Sequence, residues 1–198
     1  MIKQKQSGTK KTNLKALAEL DALSEKFGKL AARDVSDVIG VLYGVKPAAM
    51  IGGDNTCISK DVLNNLGLQC VSSTVEDILY ISYDKEMAIR LSNLHERAWD
   101  DPMESFDEHR EIGKLLGYPD TAVEYYLERL KTLDGDNPLP QFRPPEVEGT
   151  ISRRFQRFIL SPGRYQEEVK KYCLPLEEAT RAHAPKTYEA LCALSSRS

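Results

Sequence analysis

Tryptophan, histidine and cysteine are scarce in this chain of 198 residues, which has one, three and four of them. The cysteines Cys57, Cys70, Cys173 and Cys192 form no C-x-x-C pair, so their spacing fits neither a zinc site nor a thiol redox motif. No apolar run approaches the roughly 20 residues that a membrane span requires, which argues against a membrane protein. The first 15 residues carry five lysines without an apolar core. We therefore expect no secretory signal, free and mostly buried thiols, and a cytoplasmic location.

Signatures of catalysis and of cofactor binding are also missing. The chain has no G-x-S-x-G, no H-E-x-x-H, and neither of the glycine-rich sequences that cradle nucleotide phosphates. No cofactor is therefore assigned. Whether the protein is an enzyme stays open, because catalytic triads assemble in space and leave little trace in sequence. The net charge of −3 is too small to indicate a partner.

The spacing of apolar residues predicts an α+β fold that is predominantly helical. Helical periodicity runs over residues 14–32, 59–66, 85–99 and 105–130, and a short helix follows Asp34. Apolar runs at 48–51, 68–71 and 78–83 read as strands. A right-handed crossover makes the first two strands parallel, and a tight link makes the last two antiparallel. The prediction is a small three-stranded mixed sheet covered by helices, with a helical C-terminal extension.

Composition divides the chain into four segments. Residues 1–12 are a basic tail that we expect to be disordered, and residues 13–133 form the α+β core. Residues 134–149 are a proline-rich linker, and residues 150–198 form a helical segment packed on the core. A linker that reaches a second copy would make a homodimer, so a homodimer is one candidate assembly.

The corner Leu116-Gly117-Tyr118-Pro119-Asp120, between two predicted helices, is the most informative stretch. Glycine suits the left-handed residue that closes a helix, and proline suits the first position of the next one. One interpretation is a well-capped turn without a ligand. The other places Tyr118, Asp120 and the nearby His109 and Arg110 at the wall of a pocket.

The sequence Gly52-Gly53-Asp54-Asn55 follows a predicted strand and precedes a helix. Ligands bind at such positions in open α/β sheets, so Asp54 and Asn55 are candidate ligand-binding residues. A loop that only needs glycine's backbone freedom explains the sequence equally well. If this loop joins the corner in one pocket, His109 and Asp120 are the candidate acid–base residues, because histidine titrates near neutrality.

The histidines offer one further arrangement. His95 and His109 border the apolar faces of neighbouring helices, and Glu96, Glu108 or Asp107 could complete a metal site with them. Partly buried, hydrogen-bonded histidines explain the pattern more simply. We therefore predict no metal site.

Four arginines follow the linker: Arg153, Arg154, Arg157 and Arg164. The first three fall on one side of a helix predicted over residues 150–160, opposite an apolar side that would dock on the core. Outward-facing arginines could contact the phosphates of a nucleic acid. They could equally pair with the acidic segment of residues 100–148.

Two stretches resemble a known family. These are Glu111-Ile112-Gly113-Lys114-Leu115-Leu116-Gly117-Tyr118-Pro119, followed by Val123-Glu124-Tyr125, and Arg154-Phe155-Gln156-Arg157-Phe158-Ile159-Leu160. They resemble an uncharacterised, largely archaeal prokaryotic family, over most of residues 14–194. In that family two adjacent cysteines follow the Tyr-Pro corner, where this chain has Thr121 and Ala122. The resemblance implies a shared fold and no particular function.

Three functions are compatible with these patterns. The first is a cytoplasmic binding or interaction protein without a catalytic motif, which would take a small molecule or another protein. The second is a small enzyme with an acid–base or metal-assisted pocket near residues 52–55, His109 and Tyr118. The third is nucleic-acid binding through residues 153–164.

Overall fold

The computed structural model describes residues 13–52, 57–74, 77–100, 105–132, 144, 146–147 and 150–193. The fold is α+β and mostly helical, which confirms the predicted class. The N-terminal part contains α1 (Leu14–Phe27), α2 (Lys29–Leu42), β1 (Ala48–Gly52), α3 (Lys60–Asn65), β2 (Gln69–Ser72), β3 (Ile78–Ser82) and α4 (Lys85–Asp100). After it come α5 (Phe106–Leu115), α6 (Asp120–Lys131), a 3₁₀ turn (Ile151–Phe155), α7 (Tyr165–Glu168), a π-helical turn (Val169–Cys173), α8 (Leu174–His183) and α9 (Pro185–Cys192).

Local capping sets where the first helices begin and end. The side chain of Asn13 accepts hydrogen bonds from the backbone amides of Lys15 and Ala16, as expected of a helix cap. Gly28, with φ of 72°, ends α1, and α2 begins at the next residue. Asp34 therefore lies inside α2, and the prediction that a helix starts after it was wrong.

The three predicted strands form one sheet in the order β1-β3-β2. Both neighbouring pairs are antiparallel, with Ser82 of β3 opposite Ala48 of β1 and Gln69 of β2. The strands β1 and β2 run in the same direction, as predicted, but β3 lies between them. The sheet is therefore antiparallel throughout rather than mixed.

The two faces of the sheet carry separate hydrophobic cores. Ala49 and Ile51 face α1, α2 and α3, whereas Ala48 and Tyr80 face α4 and α5. This division follows from the alternation of side chains along a strand. Helices on both faces bury most of the sheet, as the sequence predicted.

The C-terminal helices pack on α1 and α2. Asp21 of α1 accepts hydrogen bonds from the backbone amides of Lys186 and Thr187, so it caps the start of α9 across a long sequence separation. The predicted 150–160 helix is wrong beyond Phe155, because the backbone is extended at Gln156 and no helix follows through residue 160. The basic tail of residues 1–12 and most of the linker lie outside the described residues, so the segment boundaries stay predictions.

All four cysteines are free: Cys173 is buried, and the other three are partly exposed. Burial raises the pKa of the Cys173 thiol to about 12, which leaves it protonated and unreactive at neutral pH. Within the described part of the chain, no helix has the length and apolar character to cross a bilayer.

Candidate functional site

A cavity of about 810 Å³ lies among α2, the turn that follows it, α4, α5, α6 and residues 153–159. Its volume is typical of small-molecule sites. Among the residues that the structure describes, four cations and one carboxylate line it: Arg33, Lys46, Arg153, Arg157 and Asp37. These five described side chains carry three formal positive charges in sum, although the whole chain carries a net charge of −3.

Within this cavity Asp37 lies between two cations. Lys46 Nζ is 2.8 Å from Asp37 Oδ1, and Arg157 Nε is 3.0 Å from Asp37 Oδ2. The three side chains are at most 8% exposed, and we call them the Lys46–Asp37–Arg157 triad. Arg157 also donates to Ser36 Oγ at 2.7 Å and to the carbonyl oxygen of Arg154 at 2.8 Å.

The charges of the triad depend on one another. Burial alone would raise the pKa of Asp37, but the positive charges and hydrogen bonds of Arg157 and Lys46 outweigh it and hold that pKa below its ordinary value. Burial alone would lower the pKa of the Arg157 guanidinium. The negative charge of Asp37 outweighs this effect, so the pKa lies above its ordinary value. Asp37 and Arg157 therefore both stay charged at neutral pH. The formal charges of the triad leave an excess of one positive charge.

Two glycines make room for the side chain of Lys46. A Cβ atom on Gly40, inside α2, would lie 3.0 Å from Lys46 Cδ and 2.7 Å from Leu176 Cδ1. At the corner, Gly117 has φ of 75°, and a Cβ atom there would lie 3.2 Å from Lys46 Cβ. The predicted left-handed residue at the corner is confirmed, and its lack of a side chain lets the corner pack directly on the turn that carries the lysine.

An aromatic cluster adjoins the triad. The ring centres of Tyr118, Phe158 and Tyr172 are 5.1 to 5.5 Å apart. Burial, and then the proximity of Tyr172, raises the pKa of Tyr118, so this phenol is neutral and is not a base. Tyr172 is 2% exposed, and among the residues that the structure describes its hydroxyl finds no hydrogen-bond partner.

A second group of aromatic side chains lines the cavity from α4, α5 and α6. The ring centres of His95 and Trp99 are 6.1 Å apart, and those of His109 and Tyr126 are 5.5 Å apart. Tyr80 Oη lies 2.9 Å from His95 Nδ1, a hydrogen-bond distance that fixes the orientation of the imidazole. The cavity therefore combines cationic side chains with an aromatic wall.

The structure brings only some of the predicted pocket residues together. Tyr118 and His109 line the cavity. Arg110 does not, because it pairs on the surface with Asp107 at 2.7 Å and with Glu124 at 2.7 Å. Asp120 is exposed at the start of α6 and is not among the lining residues. The predicted ligand-binding residues Asp54 and Asn55 lie outside the described residues.

The arginines do not form the outward face that the sequence predicted. Arg157 points into the protein and joins the triad, while Arg153 lines the cavity and donates to Gln156 Oε1 at 2.6 Å. Arg154 is half-buried. Only Arg164 is exposed, where it pairs with Glu167 at 2.8 Å. The outward orientation was wrong because it assumed a continuous α-helix through residue 160.

His95 and His109 line the same cavity. In the described part of the chain, no three histidine, cysteine or acidic side chains come together as metal ligands would. The two imidazoles contact the rings of Trp99 and Tyr126 and belong with them to the aromatic wall of the cavity.

At the level of sequence, Arg153 and Arg157 were singled out as outward-facing arginines, and the other charged residues of the cavity were missed: Arg33, Asp37 and Lys46. No motif singled out Asp37 or Lys46, and Arg157 was assigned to the surface. One signal was present: Ser36, Asp37 and Gly40 interrupt the apolar sequence from Val35 to Val41 of α2. A carboxylate on a buried helix face needs a cationic partner, and a mid-helix glycine indicates close packing.

Asp34 provides a test of the electrostatics near the triad. Burial, and then the negative charge of Asp37, raises the pKa of Asp34 to about 6. In the unfolded chain this carboxyl ionises near pH 4, so the folded state holds the proton more tightly, and stability falls as the pH rises from about 4 to about 6. We expect Asp34→Asn to raise the free energy of unfolding by about 1–2 kcal/mol near pH 7 and by little near pH 4. Urea unfolding at the two pH values checks this, and an equal gain at both would contradict it.

The two stretches that carry the family resemblance both contribute to the cavity, through the corner at Tyr118 and through Arg157 and Phe158. The resemblance itself stays a prediction. Comparison of the chain with protein-family models, with curated proteins and with solved structures found no match.

Proposed function

We propose that the protein binds a small organic anion in the cavity that contains the Lys46–Asp37–Arg157 triad. The observation that carries the proposal is the charge of the cavity wall, where the described residues include four cations and one carboxylate. A buried charge is costly unless a counter-ion or a hydrogen-bond partner compensates it. Asp37 compensates one of the two triad cations, and a bound anion would compensate the other.

The hydrogen bonds of the triad support the same proposal. The ammonium of Lys46 has three hydrogen-bond donors, and among the described residues it has one acceptor, Asp37 Oδ1. The ring of Tyr172 lies beside this ammonium, with its centre 5.8 Å from Lys46 Nζ. Oxygen atoms of a phosphate or carboxylate would accept hydrogen bonds that the fold leaves unmade.

The alternatives have less support. The prediction of nucleic-acid binding required a row of exposed arginines, but the side chain of Arg157 is buried. Of the two predicted acid–base residues, His109 lines this cavity and Asp120 does not. Acid–base catalysis therefore stays a prediction. A homodimer, a protein partner and a cytoplasmic location also stay predictions.

The test is calorimetric titration with inorganic phosphate and with succinate, at an ionic strength matched with chloride to remove general screening. We expect saturable binding of at least one of these anions. Lys46→Met keeps the apolar stem and leaves Asp37 and Arg157 as a neutral pair, so the variant should fold and bind at least about tenfold more weakly. The control is Lys15→Met, at an exposed position of α1, which should bind as the wild type does. Absence of binding by the wild type, or equal binding by Lys46→Met, would overturn the proposal.

A further inference from the structure

The lining of the cavity has a cationic half and an aromatic half, which come mostly from different parts of the fold, and Tyr118 and Phe158 add aromatic surface beside the cations. The cations come from α2, the turn after it and residues 153–157. The aromatic rings of His95, Trp99, His109 and Tyr126 come from α4 and α5, which pack on the other face of the sheet from α2, and from α6, which packs on α5. An inorganic anion would use only the first half. A ligand that uses both halves must carry an anionic group and an apolar, ring-shaped body.

Trp99 is the lining residue that would favour an aromatic ring of a ligand over other apolar groups. It is 54% exposed although it lines the cavity, so a large part of its indole surface is not used by the fold. Met50 and Ile112 add apolar surface to the same cavity. Aromatic side chains prefer offset or edge-to-face contact with another ring, and they gain from it beyond the burial of area.

Accordingly, we propose that the ligand is an aromatic anion, in which a flat ring packs against Trp99 and the imidazoles while a phosphate or carboxylate group meets Lys46 and Arg33. This rests on the proposed function and adds the substrate class. A cavity of about 810 Å³ has room for such a molecule up to the size of a nucleoside monophosphate. Arg33 is suited to the approach of an anion, because partial desolvation and the positive charge of Arg157 both lower the pKa of its guanidinium, and an anion would relieve this effect.

The preference for an aromatic ring is tested with two phosphates of nearly equal size, phenyl phosphate and cyclohexyl phosphate. Trp99 is the single tryptophan of the chain, so intrinsic fluorescence reports directly on this wall. We expect phenyl phosphate to change the emission saturably and to bind about fivefold more tightly than cyclohexyl phosphate. Adenosine monophosphate and benzoate then distinguish a nucleotide from an aryl carboxylate as the source of the ring and of the anion.

The variant Trp99→Leu, followed by calorimetry, should remove the preference for phenyl phosphate and leave the affinity for inorganic phosphate unchanged. Phe27→Leu is the matched control, because Phe27 is an aromatic residue of similar exposure on α1 that does not line the cavity. Equal binding of the two organic phosphates by the wild type, or a preference that survives Trp99→Leu, would overturn the aromatic class. The anion site itself would still stand if phosphate binding stays sensitive to Lys46→Met, so the two failures are distinguishable.

Discussion

Asp37→Ala should lower the free energy of unfolding by about 3–5 kcal/mol, a large fraction of the total for a domain of this size. The substitution leaves Lys46 and Arg157 in place, at most 7% exposed, without the carboxylate that both contact. Two like charges then face each other away from water, and each loses a charge-assisted hydrogen bond. Equilibrium unfolding in urea, followed by circular dichroism, measures the loss.

Two further variants make this result specific. Asp107→Ala removes an acidic group that also pairs with an arginine, but its side chain is 93% exposed, and we expect a change below about 0.5 kcal/mol. Asp37→Leu combined with Lys46→Met and Arg157→Met replaces the triad with apolar groups and should recover most of the stability. The same triple variant should bind no phosphate. A loss below about 1 kcal/mol in Asp37→Ala would show that the three charges are not coupled as the structure indicates.

The parts of the fold that could be predicted depend on residues close together in sequence. Asn13 and Ser59 each cap a helix by accepting a hydrogen bond from a backbone amide three residues later in the sequence. Gly117 closes α5 for the same local reason, and the amide of Tyr118 donates to the carbonyl oxygen of Gly113 at 2.9 Å. Local sequence is therefore enough to place the corner at the correct residue.

The arrangement of the strands depends on contacts that no local pattern specifies. The spacing of residues 48–83 predicts three strands and the relative direction of β1 and β2. It does not reveal that β3 inserts between them, since either edge of a hairpin could pair with β1. The register that results places Ala49 opposite Ile81 and Met50 opposite Tyr80, so the two faces receive different sets of side chains.

The triad is the part of the site that sequence could not assemble. Asp37 and Arg157 are 120 residues apart, and their contact depends on where the helix before Arg157 stops. Amphipathic spacing continues through residue 160, but the backbone is a 3₁₀ turn to Phe155 and extended at Gln156, with φ of −71° and ψ of 130°. The change of conformation rotates Arg157 toward α2 and away from solvent.

Glu168→Ala should be the second strongly destabilising substitution, at about 2–4 kcal/mol. Glu168 is 1% exposed, and its carboxylate accepts hydrogen bonds from Thr121 Oγ1 at 2.7 Å, from the Ser161 amide at 2.9 Å and from the Ser161 hydroxyl. These bonds tie α6 and α7 to the segment that follows Arg157. Truncation to alanine leaves a buried amide and two hydroxyls without an acceptor. Thermal and urea unfolding measure the cost.

The neighbouring residue supplies the control, because Glu167 has the same charge, is 60% exposed and pairs with Arg164. Glu167→Ala should change stability by less than about 0.5 kcal/mol, so a similar effect of the two substitutions would contradict the structural role of Glu168. Glu168→Gln retains one acceptor oxygen and should fall between alanine and the wild type. Since Glu168 anchors Ser161, four residues after Arg157, its loss should also weaken phosphate binding, whereas Glu167→Ala should not. That difference would link the position of the segment at residues 157–161 to the anion site.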